Sequence, residues 1–469
     1  MSRPNIIYLL SDEHTGVAMS HAGDPNVATP NMDRMAVEGV SFNRAYANCP
    51  VCTPSRGTIF SGRHAHAGPV QGFHDVYTPA APSTATILRE AGYHTAYFGK
   101  WHCGTVRDQI PPLVKQDPEY FSIESASRTP EFHRAGFQDW YGFEMNNAPF
   151  EGFYYHNNDI NPTRLHGYQT DTLTDMAIEY VKEYDGERPL FLVLSVEPPH
   201  WPIEAPKSFN RFDPASIKTR PNFGNKPHLR TSLAGYYAMI ENLDWNIGRL
   251  LGALESTEGF HGNTMTVYFS DHGDFIGSHN QIEDKGHPHE ESVRIPVIFH
   301  APGILQAQET RRDLFSLVDM APTTLGLADI PIPDYIQGTD FSPAFRGDPF
   351  ESPSDVLLEM VGSPRVHFDY IDWRGVVTNR WKYAFYETGH ELLFDLSEDP
   401  YELQNLAGSN IAVLETMKSC LLKLLETTRE PYFDVIMRHG VRPEGPTLNI
   451  SERRHDGIAP SWEDLIKNR

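Results

Sequence analysis

Three short apolar runs fix most of what this chain can fold into: 6–10 (Ile-Ile-Tyr-Leu-Leu), 190–194 (Leu-Phe-Leu-Val-Leu) and 265–269 (Met-Thr-Val-Tyr-Phe). At this length, and without polar alternation, they read as strands covered on both faces. Helical stretches separate them. Thr29-Pro30 caps one that runs to Glu38 and stops at Gly39, and another, 84–91, ends at Gly92 and leads into a strand at 94–99 that delivers Lys100. A third, 232–255, carries Leu233, Tyr237, Ile240, Leu243, Ile247, Leu250 and Leu254 along one face. Buried strands alternating with helices predict an α/β fold with a large, mostly parallel sheet flanked by helices. Such sheets place their chemistry at the carboxyl ends of the strands. The residues just past those ends are Asp12 and Glu13, Lys100, His200, and Asp271 with His272.

The character changes near Ser354. Short strand candidates at 356–360, 374–378, 381–386 and 391–396, then a helix at 411–425, predict a smaller C-terminal α+β subdomain with an antiparallel sheet. The expected division is a catalytic domain at 1–353 and this subdomain, with its helix and an extended tail, at 354–469. The polar tail after Arg429 has no periodicity and is where a homo-oligomer would make contact. No internal repeat is present at the periods of solenoids.

A formal charge of -23 argues against nucleic acid or an anionic membrane as partner, so a site for an anionic substrate has to be built locally from a few converging cations. The first apolar run is cut off by Asp12 and Glu13, too early for a signal peptide or a membrane span. Four cysteines (Cys49, Cys52, Cys103, Cys420) make no disulfide framework in a chain of this length, which points to a reducing compartment and a cytoplasmic protein.

Asp12 and Glu13 follow one buried strand, and Asp271 and His272 follow another. Brought together, three carboxylates and an imidazole would hold a divalent cation, Ca²⁺ in first place and Mn²⁺ or Mg²⁺ as alternatives. Acidic residues at strand ends are equally common as turn formers. Cys52-Thr53-Pro54-Ser55-Arg56 puts a cysteine where a loop enters a helix, with Pro54 in the first turn and Arg56 one turn inside. A cysteine at the positive end of a helix faces an anion site, and a lowered thiol pKa is expected there. Lys100 and His102 alternate along an extended strand end, so both can face one side.

The pentapeptide 52–56 resembles the signature of type I sulfatases, in which the cysteine is oxidised to formylglycine after synthesis. Four further segments resemble that family in order: 7–13, Gly99-Lys100-Trp101-His102-Cys103-Gly104, Glu197-Pro198-Pro199-His200-Trp201-Pro202, and Phe269-Ser270-Asp271-His272-Gly273-Asp274 through Lys285-Gly286. Segments 290–297 and 393–400 resemble structural parts of the family, so the likeness covers roughly residues 4 to 408. It implies an alkaline phosphatase-like fold and hydrolysis of a sulfate monoester of a small anionic substrate. It also implies a formylglycine made from Cys52 by a formylglycine-generating enzyme. Asp12, Glu13, Asp271, His272 and the modified Cys52 would hold one metal ion. Lys100, Lys285 and Arg56 would face the anion, with His200 at the leaving group and His102 assisting sulfate release. One departure stands out, because the family commonly has Asp-Asp where this chain has Asp12-Glu13.

Three other readings are open. Cys49-Pro50-Val51-Cys52 has the C-x-x-C spacing of a redox pair. A phosphonate monoester or phosphodiester hydrolase of the same superfamily would use a similar site, and a non-catalytic binding protein could keep the fold. No G-x-S-x-G, Walker A or H-E-x-x-H motif is present. Residues 107–161, with Phe150, Phe153, Tyr154 and Tyr155, are expected to form a wall of the pocket.

Overall fold

The structure, a computed structural model, describes residues 3–72, 75–78, 81–104, 127–281, 285–305, 309–361, 371–430, 433 and 437. Its main body is a ten-stranded sheet. Strand Asn5–Ser11 lies in the middle, parallel to Thr264–Ser270 on one side and Leu190–Ser195 on the other. His94–Lys100 continues the parallel run beside Leu190–Ser195, and Asp139–Phe143 beside that. The three apolar runs predicted as strands are therefore neighbours. Their carboxyl ends fall on one edge, which gathers Asp12, Lys100, Glu197 and Asp271.

The sheet is mixed. Beyond the five parallel strands, Val297–His300 pairs antiparallel with Thr264–Ser270, and Phe153–His156 pairs antiparallel with Asp139–Phe143. Burial on both faces explains the unbroken apolar runs. Ile6, Tyr8 and Leu10 enter one core with Phe191, Val193, Val267 and Phe269, while Ile7 and Leu9 enter another with Leu192, Leu194 and Tyr268. Helices Gln169–Glu183 and Leu229–Ser256 supply the second core with Leu173, Ala177, Leu243, Ile247 and Leu250.

A separate four-stranded antiparallel sheet joins Asp355–Met360, Trp373–Thr378, Trp381–Tyr386 and Glu391–Asp395. Strand periodicity divides its faces. Val356, Leu358, Trp373, Ala384 and Phe394 pack on Tyr46, Cys49, Val51 and Val293 of the main body. Leu357, Val376, Tyr383 and Leu393 pack on Leu414, Met417 and Leu421 of helix Ile411–Thr428. This small sheet thus braces the loop that leads into Cys52. The tail from 438 onward, and with it the expected oligomer contact, lies outside the described residues.

Candidate functional site

Cys52 opens helix Cys52–Ser61 behind an extended Val51, and every residue of that helix is buried. The expected placement at a helix start holds. Around the sulfur stand His272 Nε2 at 3.1 Å, Lys285 Nζ at 3.4 Å and Asp12 Oδ1 at 3.6 Å. Asp12, Cys52, Asp271 and His272 each offer a ligand atom within 4.8 Å of the others. Two strand ends and a helix start therefore converge as the sequence pattern suggested.

Arg56 ties these parts together. Its Nε donates to Asp271 Oδ2 at 2.9 Å, Nη2 to Asp12 Oδ2 at 3.2 Å, and Nη1 to the carbonyl of Lys100 at 2.7 Å and Ser195 Oγ at 2.9 Å. Ser55 Oγ adds a bond to the backbone carbonyl of Asp271 at 2.6 Å. One guanidinium thus spans the carboxyl ends of four parallel strands, a use of its planar fork that a lysine ammonium lacks. Lys100 Nζ lies 2.7 Å from Asp12 Oδ2 and 4.0 Å from Glu197.

Glu13 stands apart from the four-atom cluster. Its carboxylate pairs with Lys285 and lies 3.5 Å from His200 Nε2, and Lys285 Nζ lies 3.1 Å from the same nitrogen. Asp12, Glu13 and His200 form a second group of donors, sharing Asp12 with the first. His200 is held from behind by the carbonyl of Trp201 at 2.5 Å from Nδ1.

His102 differs from the extended-strand expectation. The strand ends at Lys100, and His102 takes a left-handed backbone at φ 53°, after Gly99 at φ 100°. At Gly99 a Cβ would lie 1.9 Å from the carbonyl oxygen of Ser195, so only glycine permits the strand to close there. His102 nonetheless reaches Cys52 as a hydrogen-bond partner.

Burial opposes ionisation of Cys52, but Lys285, Lys100, His272 and the bond from His102 outweigh it and hold the thiol well below its ordinary range. Burial and the neighbouring Asp12 push Asp271 up to about 6, against His272 and Arg56. His272 is lifted to about 9, because Asp271 and Cys52 overcome the cost of burying its charge. Burial drives His102 down to about 4, so it is a neutral imidazole near neutral pH. His200 is raised, with Glu13 overcoming burial. Cys49 is different. Burial and Glu359 push its thiol up, and it packs as a free cysteine under the small sheet.

Two residues escaped the sequence reading. Glu197 accepts from the backbone of Asn146 at 2.7 Å and Asn147 at 3.1 Å and from Gln169 Nε2 at 2.7 Å. A carboxylate two residues past a buried strand was the available signal. Ser195 gave none. Of the expected pocket wall, 107–126 lies outside the described residues; Phe153 and Tyr155 are buried in the sheet edge, whereas Phe150 is 40% exposed.

The family model for Sulfatase matches residues 4–330, and that for N-sulphoglucosamine sulphohydrolase, C-terminal, matches 277–430. The chain is 32% identical to an ulvan-active sulfatase of Formosa agariphila over 87% of its own length and 78% of the relative's. A solved structure from work on metabolism of multiple glycosaminoglycans by Bacteroides thetaiotaomicron superposes with TM-score 0.82 at 26% identity, covering 93% of this chain and 99% of the other. A phosphonate monoester hydrolase of Agrobacterium radiobacter superposes with TM-score 0.69 at 22% identity over 91% and 96%, a likeness of fold alone.

Proposed function

The chain belongs to the sulfatase family and hydrolyses sulfate esters, and on that premise we propose that its nucleophile is a formylglycine made from Cys52 and its cofactor one divalent metal ion. The observation that carries this is the convergence of Asp12, Asp271 and His272 on the Cys52 position within 4.8 Å. Two carboxylates and an imidazole, all buried, suit a hard divalent cation, Ca²⁺ first and Mn²⁺ or Mg²⁺ as alternatives. Glu13 would lie at the margin of that set. When bound, the ion would polarise the sulfuryl oxygens and favour ionisation of the nucleophile.

The chain's own side chains account for the remaining steps. A formylglycine at position 52 would, when hydrated, supply the hydroxyl that attacks sulfur, and Asp271, close to that position, would take its proton. The S–O bond to the alcohol breaks, and His200, whose protonated form Glu13 favours, donates a proton to the departing oxygen. Lys100 and Lys285 stabilise the sulfuryl oxygens, and Arg56 fixes the geometry of Asp12 and Asp271. His102, a neutral imidazole near neutral pH, would accept the proton of the group's remaining hydroxyl as sulfate leaves.

We take the alcohol to be a sugar, because the relatives are named for ulvan and for glycosaminoglycan metabolism. Maturation would require a formylglycine-generating enzyme. The four free cysteines support a cytoplasmic setting.

Peptide mass spectrometry across Asn48 to Arg56 tests the nucleophile, on protein made beside a formylglycine-generating enzyme. Loss of the Cys52 sulfur with gain of an aldehyde supports it; an unmodified Cys52 in active protein overturns it. Faster turnover of an aryl phosphonate monoester than of the matching aryl sulfate would favour the phosphonate or phosphodiester reading instead.

A further inference from the structure

Two exposed aromatic side chains sit on loops at the catalytic edge. Trp201 directly follows His200 and is 46% exposed, and Phe150 lies on the loop after strand Asp139–Phe143. Glu197 joins these two loops. It opens the Pro-Pro-His segment and accepts backbone N–H bonds from Asn146 and Asn147. Gln169 reinforces the joint from both directions, through its side chain to Glu197 and through its backbone N–H to the carbonyl of Pro149 at 2.7 Å. Phe150 is braced from below by the buried Tyr168 ring at 5.1 Å.

Large apolar groups left in water are informative when their neighbours are functional. The exposed Trp245, elsewhere on the surface, is covered by Arg249 and faced by Phe209. No ring or cation covers the Trp201 indole in that way among the described residues. Its backbone is not free either, because its carbonyl holds His200 Nδ1. The indole is therefore carried on the same short segment as the group that meets the leaving oxygen.

We propose that Trp201 and Phe150 form an aromatic rim on the leaving-group side of the site, and that it receives one pyranose ring of the substrate alcohol. Resting on the sulfate-ester reading above, this assigns specificity for a ring over a chain to these two residues. A pyranose presents a face of C–H groups that an aromatic face can cover without competing for the charged groups below. The rim is assigned to binding of the ring, with the chemistry left to the charged groups described above.

The test compares kcat/KM for a monosaccharide sulfate and for a short-chain alkyl sulfate in wild type, W201A, F150A and W201F, with melting curves to show that each variant is folded. The ring-to-chain ratio is expected to fall about three- to tenfold in W201A and in the same direction in F150A, with the change carried by KM. W201F, which keeps an aromatic face, is expected to recover most of the ratio. An unchanged ratio in both alanine variants, or equal losses on both substrates, would overturn the rim. If the wild type turns over neither sulfate, the sulfate reading has failed; the same ratio, read on ring and chain phosphonate monoesters, then decides the rim by the same criteria.

Discussion

Arg56 Nε donates to Asp271 Oδ2 across 2.9 Å with both side chains wholly sealed from water. The same guanidinium reaches Asp12, so two acidic strand ends share one cation. Removing one partner of a buried pair leaves an uncompensated charge, which costs far more than the intact pair contributes.

R56A is accordingly expected to lose about 3 to 5 kcal/mol of stability together with nearly all activity. R56K keeps the charge but cannot reach Asp271, Asp12, the Lys100 carbonyl and Ser195 at once, and should fall between wild type and R56A. Denaturant melts with parallel turnover assays check both. A wild-type melt for R56K would show that charge alone is enough.

Metal content should separate Asp12 from Glu13. Asp12 belongs to both donor groups, whereas Glu13 belongs only to the one with His200. D12N is expected to lose bound divalent metal. E13Q should retain more of it while turnover falls about tenfold or more, since Lys285 and His200 lose their shared anion. Elemental analysis of the purified variants, set against kcat, is the measurement.

Cys49 is expected to be dispensable for chemistry. It packs in the core beneath the small sheet, so C49A should lower stability by about 1 kcal/mol through lost packing and leave kcat within about twofold. A kcat collapse in C49A, measured on folded protein, would revive the C-x-x-C pair as a functional unit.

A pH-dependent contribution to stability is expected where the small sheet meets the main body. His66 Nδ1 lies 2.7 Å from Glu359 Oε2, beside Arg374 at 3.6 Å. Burial opposes both charges. His66 and Arg374 nevertheless hold the Glu359 carboxyl down to about 2, and Glu359 raises His66 above 6.5. The carboxylate contributes above its unfolded value near 4.5 and loses that contribution as pH falls through about 2. The imidazolium contributes below its unfolded value near 6.5 and loses that contribution as pH rises through its higher folded value. The pair is thus fully effective between about pH 4.5 and 6.5. H66Q should cost about 1 to 3 kcal/mol there, with the gap to wild type narrowing at alkaline pH. Melting curves of both proteins from pH 5 to 9 are the check; a constant gap would argue against a charged His66.

Much of this was legible in the chain because the signals were local. The strand at Trp381–Tyr386 was read to the residue, and helix 411–425 was short by one turn, ending at Thr428. The pair Asp271-His272 stood out because an unbroken apolar strand precedes it. What escaped depends on contacts distant in sequence. Nothing near Arg56 announces that it bonds the Lys100 carbonyl and Ser195, because parallel pairing of separate strands brings those atoms together. Strands of two or three residues, such as Val40–Phe42 toward the edge of the large sheet and Ala45–Tyr46 in a separate three-stranded sheet, have no measurable period and left no pattern. Neither the close approach of Gly99 to Ser195 nor the left-handed backbone at His102 is contained in an alternation rule.

Cys52, Thr53, Ser55 and Arg56 each expose 1% of their surface or less, and Pro54 between them is buried. An enzyme that reads this pentapeptide must therefore meet it as a flexible ribbon, before the helix docks. On the proposed formylglycine reading, maturation would be a race during synthesis: a chain that folded first would be trapped with its thiol intact, stable yet inert. The mature fraction in a preparation would then record the relative speed of two processes in the cell, and slower production at lower temperature would shift the outcome without any change in sequence.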